Sequence, residues 1–349
     1  MRIGLVIYDS LETLSGGYLY DRMLVSKLRE GGDDVEIISL RRRRYALNLL
    51  DNLRGQDSSK YDVLIQDELN HPSLFLANRR PRHAPIVSIV HHLRSSERRS
   101  PWANAVYRIV ERAYLNSVDG FIFNSETTRV TVERLTRRTL PHIVATPGGD
   151  RLGQTTAARI RQRARQLGPL RLLCLGSVTP GKGVEVLLDA MATLPPGEFS
   201  LEIVGSTTVA PGFSERMRRK SVTFSLPVDF CGELRDNEVA EKLRSAHVIV
   251  APSFYEGFGI ALLEGMAHGL PAVAASAGAV PDLVSDGVNG YLVGAGDSGA
   301  IAKRLEGLGR NRDMLERLAL AALLRFGAFP TWDQSTNRIR GFLLNLVRG

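Results

Sequence analysis

The sequence predicts an α/β protein built from two doubly wound, parallel-sheet domains. Three observations predict it. The chain has 349 residues, of which 44% are hydrophobic, enough for two packed cores. Short apolar runs alternate with amphipathic helical patterns, the signature of a parallel sheet with crossover helices. After a break at Pro147-Gly148-Gly149 the alternation starts afresh at LRLLCLGSV, residues 170–178.

In the first half the predicted strands are IGLVIY, VEIISL, DVLIQD, PIVSIV, GFIFNS and HIVATP. Residues 16–32, GGYLYDRMLVSKLREGG, carry helix periodicity with a glycine stop, and residues 102–117 form a second amphipathic helix. The segment 147–169 reads as a linker followed by an exposed basic helix. In the second half the predicted strands are RLLCLG, SLEIVG, VTFS, VDFCG, HVIVAP, PAVAA and YLV. Helices are expected at 183–193, 236–245, 260–268 and 298–308, and the terminal TWDQSTNRIRGFLLNLVRG reads as one more. The domain boundaries that follow are 1–150 for the first domain, 151–168 for the linker, 169–328 for the second domain and 329–349 for the final helix.

Charge is divided unevenly. Residues 1–168 hold 27 Lys+Arg against 18 Asp+Glu, and residues 169–349 hold 18 against 19. Arginine clusters recur in the first half, at Arg41 to Arg44, Arg79-Arg80-Arg82, Arg94 with Arg98-Arg99, and Arg137-Arg138. An excess confined to one domain suggests a surface that meets anions, either lipid headgroups or a phosphorylated acceptor. A nucleic-acid partner is not expected, because no zinc finger, aromatic RNP-like motif or recognition helix accompanies the charge. No apolar run approaches the roughly 20 residues that span a bilayer. The first strand begins at once, without a basic-plus-apolar leader. Cys174 and Cys231 have no metal-ligand or CxxC spacing and read as small buried residues near strand ends. A cytoplasmic protein is therefore expected.

The most informative stretch is APSFYEGFGIALLEGMAHGLPAVAASAGAVPDLVSDGVNGYLV, residues 251–293. It sets Glu256 and Glu264 eight positions apart around a Gly257-Phe258-Gly259 turn that opens a helix. Glu264 is expected about two turns along that helix, facing the crevice of the turn. Free N–H groups at a helix start favour an anion such as a diphosphate, and carboxylates accept hydrogen bonds from sugar hydroxyls. Upstream, LGSVTPGKG follows a strand and opens a helix. Lys182 is placed there to neutralise a diphosphate, with Gly181 and Gly183 allowing close backbone approach. A nucleotide-sugar site is the chemistry these residues suggest.

EGFGIALLE, then GMAHGLPAVA, then PDLVSDGVNGYLV, in that order, resembles the retaining GT-B glycosyltransferases of family four (glycosyltransferases group 1). The resemblance is strongest from Gly176 to Val293. It implies a GT-B fold: two Rossmann-like domains facing a central cleft, with a C-terminal helix crossing back to the first domain and Trp332 at a position where members often carry tryptophan. It implies transfer of a hexose from a nucleoside diphosphate sugar to a hydroxyl, with anomeric configuration retained.

Site roles follow from the same resemblance. Glu264 would hold the ribose hydroxyls and Glu256 the donor sugar, while backbone amides of Gly257, Phe258 and Gly259 would bind sugar hydroxyls or phosphate. The family carries a histidine after the strand that ends at Val90. His91 is favoured for it and His92 is the second choice. Gly16 and Gly17 resemble the glycine loop that approaches donor phosphate and acceptor. Asn124 and Ser125 resemble a cleft-lining turn, although Ser125 is equally suited to cap a helix. Ser177 departs from the pattern, since the family usually has arginine there, and one diphosphate contact is lost. No DxD triplet is present, no bound cofactor is expected and no metal is required. The donor is expected to be a UDP-sugar ahead of a GDP-sugar. The acceptor is expected to be lipid-linked, a phosphorylated compound or an anionic glycan, with peripheral attachment at the inner membrane face. The competing reading is a nucleotide-sugar 2-epimerase of the same architecture, which lacks the EGFGIALLE arrangement.

Overall fold

The computed structural model describes residues 1–53 and 57–348. The chain forms two compact units, residues 1–147 with 331–349, and residues 148–330.

The first unit runs β1 (Arg2–Tyr8), α1 (Gly16–Glu30), β2 (Asp34–Leu40), α2 (Tyr45–Asn48), β3 (Val63–Asp67), α3 (His71–Leu74), β4 (Ile86–Val90), α4 (Pro101–Leu115), β5 (Gly120–Phe123), α5 (Glu126–Thr136) and β6 (His142–Val144). Its six strands are parallel in the order β2-β1-β3-β4-β5-β6. The central strands β3, β4 and β5 are buried along their whole length, so they read as mainly apolar runs, broken by Gln66, Asp67 and Ser88, rather than as alternation.

The second unit runs α6 (Ala157–Ala164), β7 (Leu170–Leu175), α7 (Val184–Met191), β8 (Phe199–Val204), α8 (Pro211–Thr223), β9 (Val228–Gly232), α9 (Asp236–Ser245), β10 (Val248–Ala251), α10 (Ile260–Ala267), β11 (Ala272–Ala275), α11 (Val280–Leu283), β12 (Gly290–Val293), α12 (Ser298–Arg310) and α13 (Arg312–Phe326). Its sheet is also six-stranded and parallel, in the order β12-β11-β10-β7-β8-β9. The chain closes with α14 (Trp332–Arg348), which packs on α1 of the first unit. There Trp332 meets Tyr20 edge to face at 5.6 Å, and Arg340 donates to Asp33 at 2.7 Å.

Several expectations are corrected. VTFS is not a strand: Val222 and Thr223 finish α8, with Val222 77% exposed and Phe224 55% exposed. A four-residue β-prone run carries little weight beside a Pro-started helix that is already three turns long. Helices α8 and α13 were not anticipated. The basic helix within 151–168 is packed rather than exposed. Ile160 of α6 is fully buried, and Arg163 is buried with Nη2 donating to the carbonyls of His268 and Gly269 at 2.9 and 2.7 Å. A buried guanidinium that satisfies carbonyl ends reads in sequence like any surface arginine. Cys174 is buried as expected, whereas Cys231 on β9 is only half-buried.

Candidate functional site

In each sheet the strand order reverses once, between β1 and β3 in the first unit and between β7 and β10 in the second. Ligands of doubly wound sheets collect beyond the carboxyl ends of the strands at such a reversal, where neighbouring loops diverge and leave a crevice. Most of the sequence-predicted residues lie on the segments that follow strands, while Gly16 and Gly17 begin α1 and Glu264 lies within α10.

In the second unit, the loop after β7 carries Ser177 and a single 3-10 turn, Pro180–Lys182, and the loop after β10 carries Glu256 to Gly259. Gly183 adopts φ +67°, and a Cβ there would stand 2.1 Å from the Pro252 carbonyl, so only glycine lets the two loops meet. Phe254 N donates to the Gly181 carbonyl at 2.9 Å across the same junction. The result is an ion pair: Lys182 Nζ donates to Glu256 Oε1 at 2.6 Å. The Glu256 carbonyl is gripped in turn by Ala279 N at 2.9 Å, and Gly278 at φ +62° passes so close that a Cβ would lie 2.0 Å from that oxygen. The backbone that aims Glu256 is thus fixed by the glycine turn before α11.

Gly259, at φ +106°, is the residue before α10. Glu264 is the fifth residue of that helix, so it lies just over one turn along it rather than two, because the helix begins at Ile260. Phe258 is 4% exposed and packs edge to face on Phe329 at 6.1 Å, so its ring anchors the turn while its backbone remains in the loop. Glu264 is itself buried. Arg151 donates to Glu264 Oε1 through Nε at 3.0 Å and Nη2 at 2.8 Å, and also pairs with Asp236. Burial pushes the Glu264 carboxyl above its usual range, and Arg151 only partly offsets this. The two predicted glutamates are therefore held by different cations. Arg151 was missed by sequence reading, because it lies 113 residues from Glu264 in a segment that reads as a linker.

In the first unit, His91 follows β4 directly and is mostly buried. Its Nε2 donates to Asp21 Oδ1 of α1 at 3.0 Å, and its carbonyl accepts from Asn124 Nδ2 at 2.9 Å. Burial works against its charged form, but Asp21, Asp67 and Glu68 together outweigh that and raise its pKa. Gly17 lies against the imidazole, where a Cβ would come within 2.9 Å of Cδ2. A Cβ added at Gly16 would meet nothing within 4 Å among the described residues. Folding thus brings Gly17 and His91 together. His92 turns instead to Glu97, with Nε2 3.2 Å from Oε1, and Glu97 is lowered to about 2: burial opposes this, but His92 and Arg99 prevail. Ser125 caps α5 by accepting from Thr128 N at 3.1 Å. Tyr20 touches both His91, at 5.3 Å, and Trp332, so the final helix stands behind the histidine.

Among the described residues, two carboxylate–histidine groups have ligand atoms close enough to share a cation: Asp21 with Asp67 and His91, and Glu68 with His71 and Glu111. Burial and the neighbouring Asp21 raise Asp67 to about 6, while burial and Asp67 raise Glu68 to about 8.

The family described as Glycosyl transferases group 1 matches residues 169–311, the stretch that carries Lys182, Glu256 and Glu264. A phosphatidyl-myo-inositol mannosyltransferase of Mycobacterium leprae is 32% identical over 268 residues, 75% of this chain and 67% of that protein. The chain belongs to the group 1 glycosyltransferases. A second relative of this glycosyltransferase is a D-inositol 3-phosphate glycosyltransferase of Streptomyces griseus, 32% identical over 204 residues, which are 54% of the chain and only 43% of the relative. Among solved structures, sucrose-phosphate synthase from Thermosynechococcus elongatus superposes with a TM-score of 0.83 at 20% identity, covering 99% of this chain and 98% of that one. Anabaena HepE, in complex with UDP-glucose, gives 0.77 at 19% identity and covers 99% and 100%. Both likenesses show the GT-B fold of the glycosyltransferase.

Proposed function

We propose that this glycosyltransferase is a retaining, metal-independent hexosyltransferase that uses a nucleoside diphosphate sugar, a UDP-sugar ahead of a GDP-sugar. The observation that carries the reading is the Lys182–Glu256 pair at the strand-order reversal, beside the glycine turn that opens α10. Lys182 and the turn's N–H groups supply fixed positive charge for the leaving diphosphate, the form of stabilisation that contributes most in such sites. A diphosphate competes with Glu256 for Lys182, so donor binding releases the carboxylate toward the sugar. Glu264 accepts from ribose hydroxyls. Glu256 and His91 are the residues proposed to act at the reacting carbon, and Gly16, Gly17 and Ser177 are proposed to line the approach of phosphate. HepE was solved with UDP-glucose, which supports the choice of donor.

The acceptor is proposed to be a lipid-linked or phosphorylated hydroxyl compound, met at an anionic membrane surface. Two relatives act, by name, on phosphatidyl-myo-inositol and on D-inositol 3-phosphate. Helix α4 exposes Trp102, Val106 and Ile109 at helical spacing, beside the exposed Arg98, Arg99, Arg108 and Arg112, the composition of an interfacial helix. Among the described residues no helix is long and apolar enough to cross a membrane.

A thermal-shift screen against UDP, GDP, ADP, CMP and their sugar conjugates tests the donor. A ligand at 100 times its Kd adds about 2.7 kcal/mol. A shift from one base that disappears in Glu264→Ala is the expected result, and no shift with any nucleotide overturns the reading. The anomeric configuration of the product, read by NMR, tests retention. Turnover that survives chelation tests metal independence.

A further inference from the structure

The arginine run that follows β2 builds a pocket of its own. A concave site of about 230 Å³ opens in the first unit, lined by Arg42, Arg43, Arg44 and Arg94 together with Tyr8 and Tyr45. Its walls come from the end of β1, the segments after β2 and β3, and the segment after β4. It therefore sits at the β1/β3 reversal, where a doubly wound sheet offers its ligand crevice.

The chemistry of the walls selects an anion. Among the described residues no carboxylate pairs with the guanidinium of Arg42, Arg44 or Arg94; Arg43 reaches Asp51 at 3.3 Å. Arg94 is clamped over two rings, its Cζ 5.5 Å from the Tyr45 centroid and 4.9 Å from that of Tyr107, and its Nε is buried without a hydrogen-bond partner among the described residues. A planar donor held flat by aromatic faces has its orientation settled before a ligand arrives. The floor is rigid as well: Asn48 donates to the Tyr8 hydroxyl at 2.9 Å, which also bonds Ser73 at 2.7 Å. Two of the buried acids nearby are held toward their neutral forms, whereas Asp51 accepts from Ser73 at 2.9 Å under the floor and pairs with Arg43. Glu68 is raised to about 8 by burial and Asp67, and burial raises Glu111. The volume falls below the roughly 300–1,000 Å³ of sites that enclose a whole small molecule. It suits a phosphate and the few carbons beside it.

We propose that this pocket binds a phosphate ester group of the acceptor, with Arg44 and Arg94 as its principal donors. The inference rests on the reading of the chain as a transferase to a phosphorylated or lipid-linked acceptor, and it assigns the residues that would make that choice.

The experiment titrates the full chain with glycerol 3-phosphate by calorimetry and, separately, measures its cosedimentation with phosphatidylcholine vesicles with and without phosphatidylinositol. UDP is titrated in parallel. Saturable binding of glycerol 3-phosphate, weakened at least about tenfold by Arg44→Gln and by Arg94→Gln, is the expected result. Arg44 is exposed, so its variant folds even if the clamped Arg94 variant does not. Binding only to vesicles that contain phosphatidylinositol, lost in Arg44→Gln, supports the pocket and names a lipid headgroup as the source. Binding of either probe that neither substitution weakens overturns the proposal, and so does failure of both probes while UDP still binds. Arginine-dependent phosphate binding in a chain that ignores every nucleotide keeps the pocket and removes the transferase reading instead.

Discussion

Replacing Arg151 by methionine keeps the volume of the stem, removes the guanidinium and leaves Glu264, which is 4% exposed, without its cation. Removing one partner of a buried ion pair costs about 3–5 kcal/mol, because the remaining charge is still desolvated. Side-chain exposures are 16% for Arg151 and 68% for its second partner Asp236, so water reaches one end of the cluster and the lower figure, about 3 kcal/mol, is expected. For a domain of this size each kcal/mol moves Tm by about 2–4 °C, so the second unit melts roughly 6–12 °C lower. The pH dependence provides the control. Glu264 is already raised by burial, so its contribution is full below the unfolded value of about 4.3 and is lost as pH rises through the folded value. Without Arg151 the folded value rises further. The deficit of Arg151→Met is then largest near neutrality and shrinks toward pH 4.5. In a Glu264→Gln background the same change costs about 1 kcal/mol, the worth of an ordinary hydrogen bond. Calorimetric melts of the four proteins at pH 4.5 and 7.5 decide it. An equal penalty at both pH values, or in both backgrounds, refutes the claim that Arg151 acts by neutralising Glu264.

Three further outcomes follow from the same geometry. Glu256→Gln frees Lys182 from its partner at 2.6 Å, so UDP affinity is kept or improved while turnover falls at least about a hundredfold; Lys182→Ala loses both, as steady-state rates and calorimetry will show. Gly278→Ala places a methyl group against the Glu256 carbonyl at a φ of +62°, and is expected to lower stability by about 2 kcal/mol and turnover more than substrate affinity. His247 accepts from Arg171 N through Nδ1 and donates to the Arg163 carbonyl through Nε2; burial first, then Arg171 and Arg312, lower it to about 3. Its stabilisation is present above the unfolded value near 6.5 and is lost as pH falls toward 3, by up to about 1.4 kcal/mol per unit, a slope that His247→Asn flattens in urea titrations.

The strands were legible where they are central. IVSIV and GFIF are buried on both faces, so hydrophobicity alone marks them, and the Pro147-Gly148-Gly149 break coincides with the change from one compact unit to the next. VTFS failed because burial, not β-propensity, decides a strand, and Val222 is largely exposed. Helix α13 was missed although its Leu315, Leu318 and Ala322 are buried at helical spacing and Asn311 caps it by accepting from Met314 N at 2.8 Å.

The spacing of Glu256, the glycine turn and Glu264 is local, so the sequence itself determined that these groups share a strand-turn-helix element. It determined likewise that His91 follows a buried strand and that positive charge is concentrated in the first half. Tertiary structure alone decided which charges meet. Lys182 finds Glu256 across 74 residues, and Arg151 finds Glu264 across 113. Folding also gathers Arg44 and Arg94, fifty positions apart, around one pocket. The physical reason is that strand order in a parallel sheet sets which loops become neighbours, and that order is fixed by packing over the whole sheet, not by any short run of residues.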